Sequence, residues 1–231
     1  MDELELTILM PCLNEEKAIE YCINEAKRFL QNANVSAEIL IADNGSDDSS
    51  VQLAEQLGAR VISVTQKGYG NALRSGIAAA RGKYIIMGDA DGSYDFVHLD
   101  AFLQALRQGY DLVMGNRFAG GISPGAMKFT HRYIGIPFLS WFGRICYHTK
   151  VTDFHCGLRG FQRDAAMELD LQAEGMEFAS EIIGEFAKHK KSIIELPTVL
   201  RKDIRGGKSH LRTVKDGLRH MKWIWTTRAR G

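Results

Sequence analysis

The chain predicts an α/β fold built on a parallel sheet, and three observations carry that expectation. Short apolar runs of strand length alternate with stretches of helical spacing from Leu4 to Met114. Such alternation makes right-handed βαβ units and a parallel sheet. Polar motifs at 11–15, 43–47 and 88–94 each follow a strand, so all three fall on one edge of that sheet. Ligands of open parallel sheets bind at this edge, outside the carboxyl ends of the strands.

The elements follow in order. Leu4–Cys12 reads as a buried strand, and Glu15–Leu30 has helical spacing. Glu38–Ala42 is a second strand that runs into Asp43-Asn44-Gly45-Ser46-Asp47, a cluster of turn formers. Asp47 or Asp48 is placed to cap a helix through Leu57, and Arg60–Val64 gives a third strand. Tyr69–Ala80 is helical, Lys83–Met87 is a fourth strand, Asp95–Arg107 a helix and Asp111–Met114 a fifth strand. The second half is less regular: an aromatic and apolar stretch at Tyr133–Tyr147 is interrupted by Pro137. Glu177–His189 then reads as a helix, Ser192–Leu196 as a strand and Leu211–Trp225 as a basic helix. No repeat or linker breaks the chain, which reads as one domain over 1–231.

Charge is unevenly spread. Residues 201–231 hold ten Lys/Arg against Asp203 and Asp216, a balance of +8, so with a net charge of +1 the first 200 residues carry −7. A basic tail on an acidic body suits an anionic partner such as phosphate, lipid headgroups or nucleic acid. Four cysteines without CxxC or zinc spacing read as reduced thiols. Met1-Asp2-Glu3 is acidic, unlike the basic start of a secretory signal, and no apolar run approaches a membrane span.

The sharpest motif is Gly88-Asp89-Ala90-Asp91-Gly92-Ser93-Tyr94. On an extended strand Asp89 and Asp91, two positions apart, would share a face, and a turn can bring them closer still. Like charges held together are costly unless something positive lies between them. A divalent cation bound by carboxylate and diphosphate oxygens satisfies that need, and a solvated acidic turn is the plainer alternative. Pro11-Cys12-Leu13-Asn14-Glu15 either starts a helix, with Asn14 as cap, or holds a ribose or base through Glu15. Asp43 reads equally as an acid on a base edge or as an Asx turn. Gly68-Tyr69-Gly70-Asn71-Ala72 lacks both the Walker and the dinucleotide spacing, so its glycines are expected to serve close helix packing.

Taken in order, P-x-L-N-E, D-N-G-S-D, K-G-Y-G-N-A-L-R-x-G and D-A-D-G-S-Y strongly resemble family-two glycosyltransferases of the GT-A, nucleotide-diphospho-sugar transferase fold. More narrowly, the chain is similar to the polyprenyl-phosphate (dolichol- or undecaprenyl-phosphate) hexosyltransferase branch. Gly115-Asn116-Arg117-Phe118, Asp153-Phe154-His155-Cys156-Gly157-Leu158-Arg159-Gly160-Phe161, Glu177-Phe178 with Glu181, and Gly207-Lys208-Ser209-His210-Leu211 continue the match to about residue 225.

The resemblance implies a mostly parallel sheet with a nucleotide-sugar half at 1–115 and an acceptor half at 116–231. It implies that Pro11, Leu13, Glu15, Ile41 and Asp43 hold the nucleoside, and that Asp89, Ala90 and Asp91 lie at the diphosphate with both aspartates toward Mg²⁺ or Mn²⁺. Arg117 would reach the sugar-phosphate or acceptor phosphate, Asp153 would be the catalytic carboxylate, and Arg205, Lys208 and His210 would lie near the phosphates. His210 stands where the family commonly has lysine, and Ser93 where it often has glutamine. A lipid monophosphate has a second pKa of about 6 and needs little general base, so Asp153 is expected to orient groups as much as to take a proton. His155 and Cys156 are expected to pack, because an inverting displacement needs no thiol.

The implied reaction moves a hexose from GDP-mannose or a UDP-hexose to a polyprenyl phosphate. Alternatives are transfer to a glycan or protein hydroxyl, nucleotidyl transfer, which normally shows a Gly-rich loop after the first strand, and a non-catalytic nucleotide- or lipid-binding module. With a lipid acceptor, 133–147 and the basic C-terminal helix become a surface for the cytoplasmic face of a membrane rather than for nucleic acid. Relatives often continue from such a basic stretch into hydrophobic spans, so the chain is expected to be the soluble part of a longer membrane protein.

Overall fold

The computed structural model describes residues 4–205 and 213–228, without the side chains of 213–216. Four βα units open the chain. They are β1 (Leu4–Cys12) with α1 (Ile19–Ala33), β2 (Ala37–Asp43) with α2 (Ser50–Gln56), β3 (Arg60–Ser63) with α3 (Tyr69–Ala79), and β4 (Gly82–Met87) with α4 (Asp100–Arg107). The strands β1, β2, β3 and β4 pair in parallel, Ile8 lying between Ile39 and Ile86. Alternation divides their side chains between two cores: Ile8, Met10, Ile41 and Ile86 enter one, Leu9, Leu40, Ile85 and Met87 the other. Helices cover both faces, which is why these strands read as continuous apolar runs. The amphipathic spacing of Ile19, Cys22, Ile23, Ala26 and Phe29 seats α1 on the first core.

The second half adds β5 (Leu112–Asn116), the single turn α5 (Arg117–Gly120), a π-helical turn at His131–Gly135 and α6 (Ile136–Tyr147). It continues with β6 (Arg159–Gln162), α7 (Arg163–Met167), α8 (Phe178–Lys188), β7 (Ile193–Pro197) and α9 (Thr213–Arg228). The seven-stranded sheet has the order β3-β2-β1-β4-β6-β5-β7. Only β6 runs antiparallel, between β4 and β5. The sheet is therefore mostly parallel, as the resemblance implies.

Three expected boundaries move for local reasons. Residues 13–16 are not helical: Asn14 sits at φ 58° and its side chain accepts the Asp47 N–H instead of capping α1. Asp48 accepts the Ser50 N–H at the start of α2, as foreseen. Residues 95–99 form a turn rather than helix, because the Asp95 carboxylate accepts the Val97 N–H. Pro137 lies in the first turn of α6, directly after the π-helical turn at His131–Gly135; the backbone stays helical through both, so the interruption takes the form of that π turn.

Candidate functional site

The polar turns after β1 and β4 meet at the carboxyl edge of the sheet, joined by the segment 201–205. Its Arg201 N–H donates to the Ser93 carbonyl at 2.8 Å and its Ile204 N–H to the Asp91 carbonyl at 3.1 Å. Gly92, at φ 78°, lets Ile204 lie on the turn: a Cβ there would stand 2.4 Å from Ile204 Cδ1. The strap carries Arg205 between carboxylates, 2.8 Å from Glu15 Oε1, 3.1 Å from Asp91 Oδ2 and 2.6 Å from Asp203 Oδ2. Glu15 Oε2 is buried without a hydrogen-bond partner. Burial pushes the Glu15 carboxyl up; Arg205 opposes this, Asp91, Asp203 and Asp89 add to it, and the result is about 8.

Asp89 takes a hydrogen bond from the Tyr69 hydroxyl at 2.9 Å. Burial, then the neighbouring Asp91, raises its carboxyl to about 6, against the pull of Tyr69, Arg159 and Arg205. The two aspartates are therefore in electrostatic tension with their surroundings. Asp43 differs: its carboxylate accepts the Gly45 N–H at 3.0 Å and the Ser46 N–H at 3.1 Å, an Asx turn that also leaves lone pairs for a ligand. Pro11 is buried at the end of β1 and Leu13 is 38% exposed at the turn. The side chains of Ile41 and Ala90 lie in the first core, so only their backbones can face a nucleotide.

Arg117 and Asp153, 36 residues apart, form a buried bidentate pair: Nε to Oδ2 at 2.8 Å and Nη2 to Oδ1 at 2.7 Å, with the Arg117 N–H also on Oδ2 at 3.1 Å. Burial alone would weaken the arginine cation, but Tyr94 and Asp153 more than offset this and raise its pKa. Asp153 is fully buried behind Arg117. Arg117 lines a cavity of about 480 Å³ whose wall also includes Asp89, Asp91, Lys128, His131 and Arg205. Sequence reasoning missed Tyr69 and Arg159 on this wall; Tyr69 is flanked by two glycines, a usable signal, while β6 gave none. Gly70 packs as expected, since a Cβ would meet the Ala173 carbonyl oxygen at 2.1 Å. Cys156 is inert, its thiol raised by burial to about 12.

The segment 125–139 lines the cavity with Lys128, His131, Ile136 and Leu139 while its other side faces out. Phe129, Tyr133, Ile134, Phe138, Trp141 and Ile145 are 48–71% exposed. Positions 134, 138, 141 and 145 form an outward stripe, and α6 buries Ser140, Gly143 and Tyr147 instead. The expectation that this aromatic stretch is either core or interface thus resolves to an exposed face. Beside it, α9 packs on α6 and α8 through Tyr147 Oη–Thr227 Oγ1 at 2.7 Å and Ser180 Oγ–His220 Nδ1 at 2.9 Å. No helix among the described residues is long and apolar enough to cross a membrane. Lys208 and His210 lie outside the described residues.

Among the described residues no three His, Cys, Asp or Glu side chains gather as a ready metal shell. Asp89 and Asp91 nevertheless fit a cation completed by substrate oxygens. Carboxylates from three segments surround one guanidinium, and the buried, unpartnered Glu15 Oε2 shows that Arg205 does not satisfy them all.

Comparison with known proteins bears on the family and the fold. A family model described as glycosyl transferase family 2 matches residues 7–170. The low-salt glycan biosynthesis hexosyltransferase Agl6 of Haloferax volcanii is 40% identical over 220 residues, covering 95% of this chain but 52% of its own length, so the chain spans about half of that relative. The dolichyl-phosphate hexose transferase of the same organism is 28% identical over 207 residues, 90% of this chain and 86% of its own. Glucosyl-3-phosphoglycerate synthase from Mycobacterium tuberculosis, crystallised with Mn²⁺, UDP and phosphoglyceric acid, superposes with a TM-score of 0.76 at 20% identity over 97% of this chain and 78% of its own. The fold is accordingly GT-A-like. The chain belongs to glycosyl transferase family 2 and is a glycosyltransferase.

Proposed function

We propose that the protein is a metal-dependent inverting hexosyltransferase that moves a hexose from a nucleotide-diphospho-sugar to a polyprenyl phosphate at the cytoplasmic face of a membrane. One observation carries this reading: a single cavity joins the Asp89–Asp91 turn to Arg117 and is walled by the inner side of the segment whose outer side bears the aromatic stripe. Acceptor and membrane would then meet the protein along the same stretch of chain. UDP and Mn²⁺ in the crystallised mycobacterial synthase, and dolichyl phosphate in the name of the Haloferax transferase, support the two substrate classes.

Glu15, Asp43 and the backbone at Pro11, Leu13 and Ile41 would hold the nucleoside. A divalent cation held by Asp89 and Asp91 would offset negative charge on the departing nucleoside diphosphate. Arg205, with Lys208 and His210, would bring further positive charge to the phosphates. Arg117 would orient the acceptor phosphate, whose oxygen bonds to the anomeric carbon as the bond to the diphosphate breaks and its electron pair leaves with the diphosphate. A phosphate dianion needs no base, so Asp153 has the task its geometry gives it, fixing Arg117. An α-linked donor would yield a β-linked lipid phosphosugar.

A panel of nucleotide-sugars with Mg²⁺ or Mn²⁺ and a short polyprenyl phosphate tests the reading by nucleoside diphosphate release. One donor should be consumed only with both cation and lipid present. Consumption of none would sink the proposal, and equal transfer to a hydroxyl acceptor would remove the lipid from it.

A further inference from the structure

Arg117 is a cation on the wall of the cavity where transfer is proposed, and an arginine side chain has many rotamers to lose before it can orient anything. In this protein the loss is taken during folding by a bracket of side chains reaching to the edge strand β7. Asp153 grips the guanidinium at two points and the Arg117 N–H at a third. Asp153 is gripped in turn by Glu195, whose Oε1 accepts the N–H of Thr152 and of Asp153, each at 2.9 Å. Glu195 Oε2 accepts the Thr152 hydroxyl at 2.8 Å. The same hydroxyl oxygen accepts from Asn116 Nδ2 at 2.7 Å, and Asn116 Oδ1 accepts the Ala119 N–H, closing the turn that begins with Arg117. Parallel pairing of β5 with β7 sets Met114 opposite Glu195, which fixes the height at which the carboxylate meets the 152–153 peptide. Glu195 itself is not part of the cavity wall.

We propose that Glu195 is a positioning residue for hexose transfer: through the 152–153 backbone it fixes Asp153, and through Asp153 it fixes the Arg117 guanidinium at the cavity wall. The inference rests on reading that cavity as the place of transfer. A displaced catalytic group loses rate without losing ground-state binding, because only the aligned geometry lowers the barrier. Glu195 lies on the edge strand β7, three strands from β4 and further from β1 and β2, whose turns are proposed to hold the donor, so its removal should leave donor affinity alone.

The experiment compares Glu195→Ala, Glu195→Gln and Thr152→Val with the wild type. Readouts are kcat for transfer to a polyprenyl phosphate, dissociation constants for UDP and GDP with Mn²⁺, and melting temperature. Glu195→Ala should lower kcat about tenfold with nucleotide affinity within about twofold. Glu195→Gln should recover most of the rate, because its carbonyl still accepts both backbone N–H groups. A wild-type kcat in Glu195→Ala, a parallel loss of nucleotide affinity, or a Gln variant as slow as the Ala variant would each overturn the inference. Should Glu195→Ala fail to fold, Thr152→Val carries the test: a drop of about threefold in kcat alone is expected, and an unchanged kcat overturns the proposal. Wild-type protein that consumes no nucleotide-sugar removes the functional reading and this inference together. Normal wild-type turnover matched by the variants removes the inference alone.

Discussion

Two aspartate turns end parallel strands on the same edge of this sheet, and their carboxylates keep different company. Asp43, after β2, has backbone N–H groups of Gly45 and Ser46 on its oxygens and is at rest. Asp89, after β4, faces Asp91 and keeps a raised pKa even with a Tyr69 hydrogen bond, while nearby Glu15 leaves one oxygen unpartnered. Both turns look alike as strings of Asp, Gly and Ser. Asp91 takes a similar bond from the Ser93 N–H at 2.9 Å, so what separates the turns is Asp89, desolvated beside a second carboxylate, where a ligand has work to do.

The contrast is broken most strongly by removing charge from each turn. Asp91→Asn should reduce transfer by about 10³-fold, the scale of lost electrostatic stabilisation at a reacting phosphate. Asp43→Asn should cost about tenfold or less, chiefly in nucleotide affinity, with a small drop in melting temperature. Similar losses in the two variants, measured as kcat/KM for the donor, would erase the distinction.

A pH series sharpens it next. Asp89 holds its proton to about pH 6 in the folded protein against 3.8 for an ordinary aspartate. Between those values the unfolded chain has lost a proton that the folded chain keeps, so this residue makes the ligand-free protein less stable as pH rises through the window. Thermal melts from pH 4 to 6 should show Asp89→Asn flattening that component, whereas Asp43→Asn should leave it in place. An identical pH dependence in wild type and Asp89→Asn would contradict the raised pKa.

Arg205→Met frees Glu15 and Asp91 from the guanidinium that now neutralises them. Affinity for Mn²⁺ without nucleotide should rise about tenfold, the size of one partly screened charge–charge interaction. Calorimetry that finds no gain would mean that Arg205 does not compete for the cation's place. Smallest of all, Tyr69→Phe removes one hydrogen bond to Asp89 and should cost about 1 kcal/mol in nucleotide–cation binding, leaving Asp43-dependent contacts untouched.

Most of the first half was legible because its signals are local. Leu6–Met10, Ile39–Ala42 and Tyr84–Met87 are buried on both faces and therefore read as apolar runs wherever they occur. The polar turns after them shared an edge by topology alone. Arg159-Gly160-Phe161-Gln162 was not legible as a strand: it is four residues long, and its place is set by β4 and β5 on either side. The Arg117–Asp153 pair was equally hidden, since nothing local links residues 36 apart. Asp153 appeared as a carboxylate available for chemistry, and only the fold shows it committed to an arginine. The outward turn of the aromatic stripe also needed the fold, because helical spacing gives a stripe but not the side it faces.

The antiparallel insertion of β6 has a consequence for the order of events during synthesis. β5 leaves the ribosome directly after the four βα units, yet it pairs with β6 and β7 and never with β4. Until residues 159–162 are made, β4 keeps an open edge and β5 has no neighbour to pair with. The nucleotide side can therefore condense early, while Arg117 at the end of β5 must wait for chain made later. A nascent protein would form the Asp43 and Asp89–Asp91 turns before it sets Arg117 against Asp153. Released chains truncated between 120 and 155 should then resist proteolysis in the first four strands and be cut readily at 112–116.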